Sequence, residues 1–426
     1  MPPKKAFQRS ILPGGPTVIT ERMPALRTAS LGIWIPAGAR HETRDQEGMA
    51  HFWEHMAFKG AAARTARQIA QELDLLGGLA DAYTSREHTC FSIRVAADHL
   101  ATGLDILADI ALRPCLDPEE TIREKDVILQ EIGMVEDTPD DKLLESLWEA
   151  AWDDRAMGHP IIGTAAGVAA FDPDGLWAWR AAHYRPETMV VAAAGAVDHA
   201  ALTDLTARAF EGIAPAASPA SPASPLAVPA FRPGALSLVR DVEQTHVALG
   251  FPAPGDADDG RFARAALCTI LGGNMSSRLF QEVREKRGLA YAVSSDLNTL
   301  ADTGLLEIHA AVDPGRVGEL LAVVRGECAA LAEHGVTQDE LRHVREHLRG
   351  LLLLGAESTE NRMVRLAKNH MLFGRHIPLS ETAAKVAAIP LEAVNEAARS
   401  LLNPARAVVG VLGQHIEPSW LEGAPS

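Results

Sequence analysis

The sequence predicts an α+β protein made of two homologous domains, and three observations carry that prediction. The first is a composition break. Ile213 to Gly234 reads IAPAASPASPASPLAVPAFRPG, rich in Pro, Ala and Ser and almost free of charge. Such a stretch disfavours helix interiors and central strands, so it predicts an extended linker. The chain on either side runs to roughly 200 residues, the size of one domain. The second observation is internal similarity. SLGIWIPAGARHE (Ser30–Glu42) resembles HVALGFPAPGDAD (His246–Asp258), and TCFSIRVAADHLATGLDILADI (Thr89–Ile110) resembles TGLLEIHAAVDPGRVGELLAVV (Thr303–Val324). Pro36 falls opposite Pro252 and Asp98 opposite Asp313, so the offsets nearly agree (252 − 36 = 216, 313 − 98 = 215). A shared offset is what duplication leaves behind. The third is the alternation of strand-like and helix-like segments, which suggests α+β layers. The expected domains are residues 1–213 and 235–426, joined by the linker 214–234.

The elements of the first half follow from pattern. Ser30–Ile35 and Phe91–Val95 are short apolar runs and read as strands. Gly48–Phe58, Thr65–Leu76 and His99–Ala111 read as helices. Asp117-Pro118-Glu119-Glu120 is a helix start: Asp caps, Pro sits in the first turn, and two carboxylates suit the positive end of the helix dipole. That helix runs to about Val135, before Asp137-Thr138-Pro139 ends it.

Composition narrows the function. The 426 residues are 47% hydrophobic and 23% charged, which excludes wholesale disorder. The net charge of −16 argues against nucleic-acid binding and mildly favours basic peptide ligands. Cys90, Cys115, Cys268 and Cys328 form no C-x-x-C pair and read as reduced core residues, which points to the cytoplasm. The N-terminus lacks a signal-peptide core, and no run of about 18 apolar residues predicts a membrane span.

The strongest chemical signal is GMAHFWEHMAFKG, Gly48 to Gly60. His51, Glu54 and His55 form H-x-x-E-H. On a helix, residues four apart lie about 40° apart around the axis, and residues three apart about 60° apart on the other side. The three side chains therefore share a face. Two neutral imidazoles suit zinc, and a carboxylate left off the metal can take a proton from water. The rest of this helix is apolar, so the trio needs a compensating group, which a dication supplies. The remaining histidines, such as His41, His88, His159 and His183, show no second metal pattern and read as structural or surface residues.

Catalytic zinc normally takes three protein ligands and leaves a position for water. Candidates for the third lie on the helix Thr121–Val135, whose apolar stripe includes Ile128, Ile132 and Val135. Glu131 falls inside that stripe, and Glu124 shares its face, seven residues away. Seven residues of helix span about 10 Å, so the two do not easily bind one ion. One is a ligand and the other a supporting or substrate-facing group; local pattern leaves open which.

HFWEHMAFKG, LGGLADAYTSREHTCFSIRV, REKDVILQEIGMVEDTPDD and GGNMSSRLFQEVREKRGLAYAVSS together resemble the insulinase (pitrilysin) family of zinc peptidases. The similarity is greatest to the branch containing mitochondrial processing peptidase and its bacterial relatives, and it spans nearly the whole chain. It implies two copies of a mainly antiparallel sheet covered by helices, the fold shared with LuxS-like metallohydrolases. The family's third ligand lies about 76 residues after the second histidine, which selects Glu131 here (131 − 55 = 76), and its further glutamate falls on Glu124.

The resemblance implies one Zn²⁺ per chain held by His51, His55 and Glu131, with Glu54 as general base and Glu124 near the site. It implies that Arg284 and Tyr291, seven residues apart within REKRGLAY, serve the reacting carbonyl. Peptide substrates are expected to add as a strand beside GGLADAYTSREHT, inside an enclosed chamber of a homodimer. At the substrate-contact position Asp81-Ala82 the family commonly has Asn followed by Ala. Ionised Asp81 only accepts hydrogen bonds, which favours a basic side chain there. The alternatives are a non-catalytic scaffold or regulatory subunit, and a processing peptidase that needs a partner chain.

Overall fold

A computed structural model describes residues 6–152, 155–213 and 230–421; most of the expected linker, residues 214–229, lies outside them. The chain divides into two compact units, each built on one sheet. In the first, β1 (Phe7–Ile11), β2 (Thr17–Arg22), β3 (Thr28–Ile35), β4 (Leu79–Thr84), β5 (Thr89–Ala96) and β6 (Val190–Gly195) stand in the order β1-β2-β6-β3-β5-β4. All neighbours are antiparallel except β2 and β6. In the second unit, β7 (Gly234–Val239), β8 (Thr245–Pro254), β9 (Val293–Thr299), β10 (Thr303–Val312) and β11 (Val408–Gly413) stand in the order β7-β11-β8-β10-β9. Here only β7 and β11 run parallel. The α+β class with two related, mainly antiparallel sheets is what the sequence predicts.

The side-chain alternation of β3 explains how its sheet is covered on both faces. Leu31, Ile33 and Ile35 point into one core with Phe91 and Ile93 of β5. Trp34 points into a second core on the opposite face. Over the first face lie α1 (Met49–Ala57), α2 (Ala66–Leu75), α3 (Leu100–Leu112) and α4 (Pro118–Asp137), of which α1, α3 and α4 bury Phe52, Trp53, Met56, Leu107 and Ile128 in the core. These boundaries agree with the predicted helices to within a few residues. The predicted stripe of α4 is narrower than expected. Ile128 is fully buried, but Ile132 and Val135 are only half-buried.

The unit boundaries differ from the expected division at the linker. The first unit comprises residues 1–132, 160–226 and 353–377; the second comprises 133–159, 227–352 and 378–426. Two helices explain the difference. The helix Thr359–Phe373 packs Met363, Leu366 and Ala367 against Trp34, Val190 and Ile19 of the first sheet. Conversely, α5 (Pro139–Ala151) packs Leu143 and Leu147 against Ala248, Val408 and Leu412 of the second. A sheet with apolar residues on both faces must be covered on both, and each unit does so with a helix from the other half of the sequence.

Cys90, Cys268 and Cys328 are buried and unpaired as expected, whereas Cys115 is exposed. Among the described residues, no helix is long and apolar enough to cross a membrane.

Candidate metal centre

The site is built on α1. Gly48 precedes the helix with a φ of 96°, and a Cβ there would stand 2.7 Å from Gly163 Cα. Only glycine fits. No side chain of the helix's own caps its first turn. The buried carboxylate of Glu42 does so instead, accepting from Gly48 N at 2.9 Å and from Ala50 N at 2.7 Å. This charge suits the positive end of the helix dipole. Phe52, Trp53 and Met56 then lock α1 into the core, which leaves His51, Glu54 and His55 on the remaining face.

Glu131 of α4 meets that face. Its Oε2 lies 3.4 Å from His55 Nε2 and 3.7 Å from His51 Nε2. A tetrahedral zinc with donors at about 2.0–2.1 Å sets donor pairs about 3.4 Å apart, so the three atoms fit one ion. His51 and His55 side chains are 12% and 17% exposed, and Glu131 is 37% exposed, so the donors converge at the edge of the core rather than inside it.

Glu124 turns to the other side of His55. Its Oε1 is 2.7 Å from His55 Nδ1, and its Oε2 is 2.6 Å from Lys59 Nζ. The two glutamates that the sequence leaves as alternatives are thus separated. Glu131 converges with both Nε2 atoms, and Glu124 supports the imidazole from behind. Arg123 and Lys125, the neighbours that could have neutralised Glu124, are engaged elsewhere, with Glu119 and Glu120 and with Ala169 O.

Burial and the neighbouring carboxylates set the electrostatics of these residues. Burial, reinforced by neighbouring His55, lowers His51 to about 3, which keeps it neutral with a lone pair to offer. Burial alone lowers His55, but the bond to Glu124 and the charge of Glu131 raise it overall. Burial also opposes ionisation of Glu124, yet its bonds to His55 and Lys59 bring it below the ordinary carboxyl value. Glu54 is raised by burial, against the opposing pull of a hydrogen bond from Thr84 Oγ1 to its Oε2 at 2.6 Å.

Asp81 and Ala82 lie on β4, which among the described residues forms one edge of the first sheet and pairs with β5. Asp81 is exposed and close enough to Glu54 for its charge to help raise that carboxyl. In the second unit, the Arg284 guanidinium carbon lies 4.6 Å from the Tyr291 ring centroid and 4.9 Å from that of Phe280. Arg284 belongs to a π-helix, Phe280–Lys286, an unusual geometry that is frequent at functional sites. Tyr291 is 82% exposed. Sequence pattern missed Glu42, Lys59 as the partner of Glu124, and Thr84. Lys59 had a visible signal, since it follows His55 by four residues; Glu42 and Thr84 act through tertiary contacts.

Comparison with known proteins agrees with this architecture. Residues 17–165 match the insulinase (peptidase family M16) domain, and residues 170–348 match the peptidase M16 inactive domain. A Mycobacterium tuberculosis protein named an uncharacterized zinc protease is 39% identical over 416 residues, covering 96% of this chain and 94% of its own. A Bacillus subtilis protein named in the same way is 35% identical over 395 residues, covering 93% and 95%. Among solved structures, a protease from Helicobacter pylori superposes with a TM-score of 0.88 at 20% identity, over 95% of this chain and 99% of that one. A peptidase M16 inactive domain from Pseudomonas fluorescens superposes with a TM-score of 0.88 at 21% identity, over 96% and 98%. The fold is thus shared well beyond recognisable sequence identity, and the chain belongs to the insulinase family, peptidase family M16.

Proposed function

We propose that this protein is a zinc-dependent endopeptidase. The observation that carries the proposal is the convergence of His51 Nε2, His55 Nε2 and Glu131 Oε2, with Glu54 on the same helix and hydrogen-bonded by Thr84. The donor set fits zinc: two imidazoles and a carboxylate, one imidazole oriented by a carboxylate behind it. His51 Nδ1 is enclosed without a hydrogen-bond partner among the described residues, and its Nε2 faces the Glu131 carboxylate. Zn²⁺, when bound, supplies a Lewis acid that acidifies water and polarises a carbonyl.

The chain's own residues supply the rest. Glu54 takes a proton from the attacking water and returns it to the leaving amine. Its raised affinity for protons, a result of burial, suits it to both steps. Thr84 fixes its orientation from β4. Arg284 and Tyr291 donate to the carbonyl oxygen as charge develops on it. The substrate is an unfolded peptide that extends the sheet at β4, where backbone pairing gives affinity with little sequence preference. Asp81 selects for basic side chains, and Asp81→Asn is expected to abolish a preference for Arg- and Lys-containing peptides. A homodimer that encloses the substrate and works without a partner chain belongs to the same proposal.

The test pairs zinc analysis with peptide hydrolysis by wild type and Glu54→Gln. Zinc retained in both, with turnover lost only in the variant, is the expected result. A wild-type chain that binds zinc and hydrolyses no peptide would favour the scaffold reading instead. Gel filtration of the pure active chain tests the dimer.

A further inference from the structure

A second set of potential ligands meets in the second unit: Asp140, His246 and His309. Strands β8 and β10 pair with His246 opposite Ala311 and His309 opposite Ala248, so the histidines are diagonal neighbours on one face. Their rings stack with centroids 5.9 Å apart and 22° between planes. Helix α5 covers this face, and Asp140 in its first turn lies over the pair. Asp140 Oδ1 contacts His246 Nδ1 and stands 3.4 Å from His309 Nε2. Both ring nitrogens are enclosed, and neither makes a hydrogen bond of acceptable geometry. Two enclosed nitrogens thus share one carboxylate oxygen, which leaves both short of a full partner.

The first unit makes the corresponding contact with different chemistry. Ser30 aligns with His246. By strand pairing, Arg94 and Ser92 then stand where Ala311 and His309 stand in the second unit. There Ser30 Oγ is 2.8 Å from Thr359 Oγ1, and Arg94 is 3.8 Å from Glu360. Thr359 and Glu360 open the covering helix of the first unit, as Pro139 and Asp140 open α5. Hydroxyls and an exposed ion pair therefore suffice to seat such a helix. Docking alone does not call for two imidazoles and a carboxylate aimed at one point. Glu307 lies two residues from His309 on the same face. Its oxygens accept from Trp148 Nε1 and, at 2.8 Å, from Asn298 Nδ2.

We propose that Asp140, His246 and His309 bind a divalent transition-metal ion, Zn²⁺ foremost, which pins the start of α5 to the sheet of the second unit. The donor set suits zinc, cobalt or nickel rather than calcium or magnesium. The His309–Asp140 separation equals the donor spacing of a tetrahedral ion, about 3.4 Å. The His246–Asp140 approach is closer than one ion allows. Asp140 is 52% exposed and free to withdraw, while the histidines, 12% and 17% exposed, are fixed.

The probe is Co²⁺, whose visible d–d bands report nitrogen and oxygen ligation. In the full-length His55→Ala chain, which has lost a ligand of the first centre, a single equivalent of Co²⁺ is expected to survive desalting and to raise the thermal midpoint. Adding Asp140→Asn is expected to weaken that binding by about tenfold or more and to remove the thermal shift. Should His55→Ala fail to fold, titration of the wild type and of Asp140→Asn alone answers the same question: a second Co²⁺ equivalent in the first and not in the second. A folded His55→Ala chain that binds no Co²⁺, or binding that Asp140→Asn leaves unchanged, overturns the proposal. Neither result bears on the peptidase centre.

Discussion

His55 Nδ1 stands 2.7 Å from Glu124 Oε1, and this bond turns the opposite nitrogen of the ring toward Glu131. One histidine thus joins two carboxylates of α4 with different tasks. Glu124→Gln keeps the shape but weakens the acceptor and leaves Lys59 without its charged partner. Zinc affinity is expected to fall about 10- to 100-fold, with residual turnover at saturating zinc. Glu131→Gln is expected to empty the centre formed with His51 and His55. Zinc titrations with a competing chelator separate the two outcomes.

Glu42 supplies the acceptors that the first turn of α1 cannot find within its own sequence. Glu42→Ala leaves two enclosed amides unpaired and is expected to cost about 3 kcal/mol in urea unfolding. The loosened helix start should also lower zinc affinity, because His51 lies one turn away.

Arg284 and Tyr291 are stacked on one another before any substrate arrives. Arg284→Ala or Tyr291→Phe is expected to lower kcat about 100-fold with zinc content unchanged. Steady-state kinetics beside metal analysis checks this. A variant that loses zinc in proportion to activity would place the pair in a structural role.

His88, in the turn between β4 and β5, is lowered to about 4 by burial and by the charge of Lys368. The unfolded chain takes up this proton near pH 6.5, the folded chain only near pH 4. The unfolded state therefore binds more protons between these values, and stability falls on acidification through that window. His88→Gln is expected to flatten the decline between pH 6.5 and 4.5. Urea midpoints of both proteins across that range provide the comparison.

The metal helix was legible because H-x-x-E-H on an apolar helix states both a period and an unmet charge. The choice between Glu124 and Glu131 was not legible from local pattern. Both lie on the buried side of α4, and only the position of His55 across the core distinguishes them. The exchange of covering helices was hidden for a similar reason. The amphipathic stripe of α5 records that it packs on something, not on which sheet. Asp140, His246 and His309 come from three elements far apart in sequence, and each alone resembles an ordinary surface or strand residue. Arg284 could be placed by resemblance, but nothing in its spacing foretold a π-helix.

Each half of the sequence lends a helix to the other half's sheet, so neither half is a portable module. A gene split between residues 213 and 230 would yield two products, each with one sheet face bare and one helix astray. Such products would have to recombine to hide those surfaces. Inheritance of one half without the other is therefore disfavoured by folding as well as by chemistry. A nick in that segment, by contrast, should leave the pieces held together by the same borrowed helices.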